Sequence, residues 1–280
     1  MRGSIQTNAQ LEFTHDEPRK RTILTKRLAG GLCSISKPYW CPQQLVLGLQ
    51  LVNPTAGLFS GDSLNIHITI GENAQAAITS PSATRFHTMP TPGSNATITQ
   101  EFTVKKNAWL DYWPETIIPQ KNSDVIQKTK IHLHDTSTMV FLDSLTPGRI
   151  AHGENYLFRR FETLLEIHSN NSLVAKERCI LSPENPGKSS WPLLVPDWDT
   201  CYYAAIWIAG SQAQKIINDL QQDHQLDPKP LIHGASLLTP KLGVIRIISP
   251  TSILLKNALT HFRAIIQQHL PQLKMTFRKL

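Results

Sequence analysis

Apolar and polar residues alternate over much of the first two hundred positions. The clearest case is Leu64, Ile66, Ile68 and Ile70 interleaved with Asn65, His67 and Thr69, the two-residue period of a half-buried strand. Residues 97–104, 125–134, 156–167 and 173–181 are also rich in β-branched and aromatic side chains, and Pro, Gly and Asn clusters separate them. No fixed-period repeat and no α/β alternation stands out. Towards the C-terminus the period changes. Ala213, Ile216, Ile217 and Leu220 fall on one face of a helix over residues 211–222, with Ser211 to Gln214 as a capping box. Leu255, Ala258, Leu259, Phe262, Ile265 and Ile266 form the stripe of a second helix over residues 250–270, which Pro271 stops. Leu273, Met275 and Phe277 then alternate as a last strand.

These patterns define a mainly β fold with two α-helices in the C-terminal third. The proline-rich stretch from Ser182 to Trp198 has the composition of a linker. It divides a β-rich body, residues 1–185, from a smaller α+β part, residues 186–280, packed on it within one structural domain. Strand spacing alone does not choose between a β-sandwich and an elongated β-helix-like body.

Composition narrows the function classes. The chain has 280 residues, 40% of them apolar, enough for a sizeable core in one large domain or two small ones. Its formal net charge is +7, which suits an acidic partner. The excess is diffuse, clustering only at Arg19-Lys20-Arg21 with Lys26-Arg27 and at Arg278-Lys279. Neither cluster is interleaved with aromatic residues, so a solvated basic surface is favoured over a nucleic-acid footprint. No apolar run approaches the length of a membrane span and no signal peptide is visible. Cys33, Cys41, Cys179 and Cys201 lack Cys-x-x-Cys spacing, which fits reduced, mostly buried thiols in a cytoplasm.

Residues 53–64, Asn-Pro-Thr-Ala-Gly-Leu-Phe-Ser-Gly-Asp-Ser-Leu, carry the strongest signal. Asn-Pro opens a turn, Gly57 and Gly61 supply backbone freedom, and Asp62 is the one charge. On the residues alone, Asp62 reads as a turn-capping aspartate. The stretch also resembles the Asn-Pro-Pro-Gly-Gly-Leu-x-Gly-Gly-Asp-x-Leu motif of the urease accessory protein D family, called H in some bacteria. Asn53, Pro54, Gly57, Leu58, Gly61, Asp62 and Leu64 match it, and Thr55, Ala56 and Ser60 depart from it. Further similar segments follow in the family's order. They are Thr79 to Phe86, Leu110 to Ile117 (shortened by a missing glutamine), and Asp143 to Arg149 with Gly153-Glu154. The family's Arg-Ile-Trp ending is replaced by Met275-Thr-Phe-Arg.

The resemblance implies a β-helix-like body with two helices and a non-enzymatic metallochaperone scaffold. Its implied partners are the accessory F protein, the GTPase accessory G protein and the apo-urease subunits. Nickel would be in transit, with no tightly bound cofactor. Asp62, Glu115, Asp143 and Glu154 each sit in a matching motif, and the resemblance places such buried acids along an internal nickel path. Acids in apolar surroundings need partners, and Arg85 and Arg149 are the natural ones, so structural ion pairs explain the same residues equally well.

Two other classes stay open. A metal-dependent hydrolase on a β scaffold would use His132, His134 and a carboxylate, since alternate strand residues face one way. Lys128 and Lys130 on that face oppose a cation. The other class is a basic nucleic-acid-binding β protein. No Gly-x-Ser-x-Gly elbow and no phosphate-binding glycine loop is present.

Overall fold

A computed structural model describes residues 3–40, 45–90, 94–183, 198–223 and 230–274. A hairpin of β1 (Gln6–Asp16) and β2 (Arg21–Leu28) opens the chain, followed by β3 (Ser34–Ile35), β4 (Tyr39–Trp40) and β5 (Leu47–Val52). The backbone then winds through three coils. The first holds β6 (Ser63–Ile70), β7 (Gln75–Thr79) and β8 (Thr84–Phe86). The second holds β9 (Ala96–Val104), β10 (Trp109–Trp113) and β11 (Ile117–Pro119), and the third β12 (Asp124–Leu133) and β13 (Thr138–Leu145). A hairpin of β14 (Arg160–Ser169) and β15 (Ser172–Leu181) comes next. The described chain continues through β16 (Tyr202–Ala209), α1 (Ala213–Gln222), β17 (Ile232–Thr239), β18 (Leu242–Ser249) and α2 (Ser252–His269).

Each coil gives one strand to each of two sheets. β6, β9 and β12 pair in parallel in the first, and β7, β10 and β13 do so in the second. Parallel strands demand crossovers, and here each crossover is a strand of the opposite sheet. The fold is therefore mainly β, as its alternation implies, with two large mixed sheets. Antiparallel strands finish both: β1–β2 and β14–β15 flank the first, and β16, β18 and β17 extend the second from β13. Strands from both sides of residue 185 thus share one sheet. The linker itself lies largely outside the described residues.

One corner repeats. Asn73 and Asn107 turn the first two coils in the left-handed region, at φ 59° and 54°, which asparagine tolerates better than most residues. Asn107 Nδ2 donates to Asn73 Oδ1 at 3.3 Å, so the corners stack. Between the sheets, Phe102, Tyr112 and Phe141 interlock with ring centroids 4.8–5.4 Å apart. Beyond the second sheet, Val140, Leu142, Ile206 and Ile208 pack on Ile216, Ile217, Phe262 and Ile266 of the helices. The layers are sheet, sheet and helices, each apolar face covered by the next.

Several local expectations need correction. α1 begins at Ala213 with Gln212 at its N-cap, and no side chain caps it. α2 is capped instead by Thr251, whose hydroxyl accepts from Leu254 N at 3.2 Å. The strand expected over 156–167 begins at Arg160, because Tyr156 adopts a left-handed φ of 53°. Leu273 lies in a 3-10 turn, Pro271–Lys274, and not in a strand. Its side chain is buried in the layer beneath α2. Met275 and Phe277 lie outside the described residues.

Candidate ion passage between the sheets

The inward faces of β9 and β12 are not wholly apolar. Among Ile98, Phe102, Val125 and Ile131 sit Gln100, Gln127 and Thr129, all buried. Register places Thr129 opposite Gln100 and Gln127 opposite Ile98. Thr129 Oγ1 donates to Gln100 Oε1 at 3.3 Å, and Gln100 Nε2 donates to the Tyr112 hydroxyl at 3.2 Å. Across the gap, β13 turns Met139, Phe141, Asp143 and Leu145 towards this polar strip. Gln127 Nε2 approaches Asp143 Oδ1 at 3.5 Å.

Three cavities lie close by, and Ser144 borders all of them. One, of about 20 Å³, is lined by Asp143, Glu177, Cys179, Tyr203 and Trp207. The next, of about 40 Å³, is lined by Gln100, Tyr112, Gln127, Asp143 and Glu115. The last is an open groove of about 480 Å³ under α2, lined by Trp113, Glu115, Thr116, Tyr202, Arg263 and Gln267. Asp143 borders the first two and Glu115 the last two. Pro114 and Glu115, where the chain breaks from β10 before β11, border both the second cavity and the groove. Each small cavity has room for a water-sized body.

Electrostatics single out Asp143. Burial pushes its carboxyl up to about 6, and the neighbouring Glu177 carboxylate adds to the rise. Gln127 and the Ser144 backbone amide pull the other way. Asp111, wholly buried one strand away, faces Arg263 of α2. Burial pushes its carboxyl up while the guanidinium pulls it back.

The four candidate acids do different things. Asp62 accepts from Ile5 N at 2.7 Å and Phe59 N at 2.9 Å, so it caps its turn and ties down the approach to β1. Glu154 accepts from Arg149 Nε at 2.9 Å and Lys121 N at 3.2 Å. Its Arg149 partner holds its carboxyl below the usual range. Only Glu115 and Asp143 border the cavities. Arg149 thus has the partner expected of it, whereas Arg85 does not. Arg85 is exposed, and among the described residues it makes no ion pair. Its carbonyl does the structural work, accepting from Leu58 N at 2.8 Å.

His132 and His134 do not assemble into a ligand pair. His132 stands on the outer face with its Nε2 3.4 Å from Glu101 Oε1. His134 lies past the strand end, where its Nδ1 accepts from Thr136 N at 3.1 Å. Among the described residues no cluster of three or more His, Cys, Asp or Glu side chains is arranged to hold a metal. Nor is any described helix long and apolar enough to cross a membrane.

Two coiled sheets with a helical layer, and polar and acidic side chains at the cavities between them, define a mainly β protein. The sequence profile of the UreD urease accessory protein family matches residues 6–279. A urease accessory protein UreD of Opitutus terrae is 33% identical over 259 residues, spanning 92% of this chain and 93% of its own. That of Halalkalibacterium halodurans is 29% identical over 203 residues, 72% of this chain and 73% of its own. The chain belongs to the UreD urease accessory protein family.

Proposed function

We propose that this chain is a non-enzymatic, cytoplasmic scaffold for urease maturation. It assembles with the accessory F protein and the GTPase accessory G protein on apo-urease and assists delivery of nickel to the urease active site. Nickel is cargo here. The observation that carries the reading is the set of neighbouring cavities that share lining residues and are bordered by Glu177, Asp143 and Glu115. Carboxylate and water oxygens hold nickel weakly compared with imidazole or thiolate, and a conduit needs donors the ion can leave. A carboxyl near pH 6 suits this role, being charged at neutrality yet able to release a cation as it takes up a proton. Asp62 and Glu154 serve the frame around the route.

Co-expression with an F-type accessory protein, followed by gel filtration, tests the assembly. A shared peak at micromolar concentration is expected. Separate peaks of two well-folded proteins would contradict it.

A further inference from the structure

The coils have a narrow third side, away from both large sheets. There β8 and β11 pair in parallel, with Arg85 beside Ile118. Leu58 joins them through a bridge to Phe86. Phe86 and Ile117 are buried on the inner face, and strand alternation turns Arg85 outward. The surface beside Arg85 is fixed. The His87 ring stacks on Phe59 with centroids 4.3 Å apart and planes 4° from parallel. Its Nε2 lies 3.0 Å from the Ala56 carbonyl oxygen. Gly57 keeps the two side chains uncovered: a β-carbon there would stand 3.0 Å from both Arg85 Cβ and His87 Cδ2.

Charge is sorted on this side, with acids inward and cations outward. Gln120 N donates to Phe86 O at 2.9 Å, which sets the next residue, exposed Lys121, one coil over from β8. Lys121 N donates in turn to Glu154 Oε2, the carboxylate that Arg149 binds. Glu154 is buried, and so is Asp62, whose oxygens accept from Ile5 N and Phe59 N. Arg85 and Lys121 are exposed, and among the described residues neither makes an ion pair.

We propose that this third side is a docking surface for an acidic segment of a partner protein, with Arg85 and Lys121 as its cations and the Phe59–His87 stack as its floor. The proposal rests on the reading of the chain as part of a protein assembly. A free guanidinium can fork a carboxylate without first breaking an internal pair. A floor already fixed in place lowers the ordering cost of association. A second copy of this chain is a poor occupant, because like charges would meet. Two free cations are also few for a phosphate backbone, where affinity grows with the number of phosphates neutralised. The exposed residues alongside, Pro54, Ala56, Pro81 and Ser82, are small and uncharged, which suits contact with a protein surface.

Zero-length carbodiimide cross-linking of the full chain, co-expressed with the accessory F and G proteins and apo-urease, tests this, because it joins only an amine and a carboxyl already in contact. Mass spectrometry should find Lys121 joined to an aspartate or glutamate of a partner chain, and in Arg85→Lys position 85 joined likewise. Arg85→Glu combined with Lys121→Glu should weaken association about tenfold, most at low salt, with an unchanged melting temperature. Lys20→Glu combined with Lys26→Glu makes the same change of charge on the N-terminal hairpin and should leave association intact. Lack of cross-links from both positions in an assembled complex, or full affinity in the folded Arg85→Glu, Lys121→Glu variant, overturns the proposal. If the wild type joins no assembly, the assembly reading itself fails, and immobilised poly-L-glutamate decides the surface. The wild type should then bind it about tenfold more tightly than the Arg85→Glu, Lys121→Glu variant, and equal binding overturns the proposal. Arg85-dependent binding that favours a DNA duplex over poly-L-glutamate overturns it in favour of a nucleic acid.

Discussion

Arg263 on α2 grips Asp111 on β10 through both carboxylate oxygens, Nη1 to Oδ1 at 3.2 Å and Nη2 to Oδ2 at 2.5 Å. The guanidinium also lies over the Trp113 ring at 4.5 Å. This contact pins the helix that roofs the wide groove to the sheet that forms its floor. Asp111 is fully buried. Removing one partner of a buried pair strands the other charge and costs about 3–5 kcal/mol. Arg263→Met should therefore lose stability on that order in urea unfolding. A loss under about 1 kcal/mol, the scale of an exposed pair, would show the contact to be dispensable.

The raised carboxyl of Asp143 has the opposite consequence. Its folded value of about 6 lies above the ordinary 3.8, so folding favours the neutral form. Its contribution to stability is complete below about pH 4 and is lost as pH rises through about 6. Asp143→Asn keeps the shape and never charges. At pH 7 the variant should melt no lower than the wild type, and the difference between the two should shrink on acidification to pH 4. The gain at pH 7 is bounded at roughly 3 kcal/mol by the size of the shift. A variant that melts far lower at pH 7 would mean that the charged carboxylate is a structural partner.

Much of the frame is legible from residue spacing, because a strand with one covered face must alternate. The alternation at 63–70 and the stripe on α2 follow directly. The coil repeat is not legible, since each coil differs in length and only the Asn73-Ala74 and Asn107-Ala108 corners recur. Polar residues at inward positions, Gln100, Gln127 and Thr129, are the sequence signal for the buried polar strip between the sheets: each breaks a run of apolar inward residues. Glu177 gives no such signal. It sits in Lys176-Glu177-Arg178 on an edge strand, and only the approach of Arg246 from a distant hairpin makes it part of the site. Asp111 and Arg263 lie 152 residues apart, beyond any local pattern. Arg85 misled because its motif match reflects a backbone contact, Leu58 N to its carbonyl, that its side-chain charge does not advertise.

Gly148 holds the loop that carries the Arg149–Glu154 pair. Its φ is +136°, and a β-carbon there would stand 2.5 Å from the Glu154 carbonyl oxygen. That region of backbone space belongs to glycine, with a strain of about 1–3 kcal/mol for other residues, and the clash adds to it. Gly148→Ala should lower the melting temperature clearly, whereas Gly153→Ala should cost less. Gly153 is also left-handed, at φ +71°, but nothing lies within 4 Å of its added β-carbon. Equal melting of the two variants would rule out the close approach as the cause.

Glu115 separates transport from structure. It borders both the 40 Å³ cavity and the groove under α2. Glu115→Gln removes the charge and preserves the shape. If the carboxylate passes an ion onward, the variant should keep its melting temperature and its contact with the accessory partner, yet activate co-expressed urease poorly. Glu154→Gln is the contrasting case. Glu154 is bound by Arg149 and the Lys121 amide and borders none of the three cavities, so its loss should lower stability first and activation only in proportion to the folded protein that remains. Urease activity per amount of soluble accessory protein, measured beside thermal melts of both variants, distinguishes them. Normal activation by Glu115→Gln, with wild-type stability, would remove this carboxylate from the nickel route.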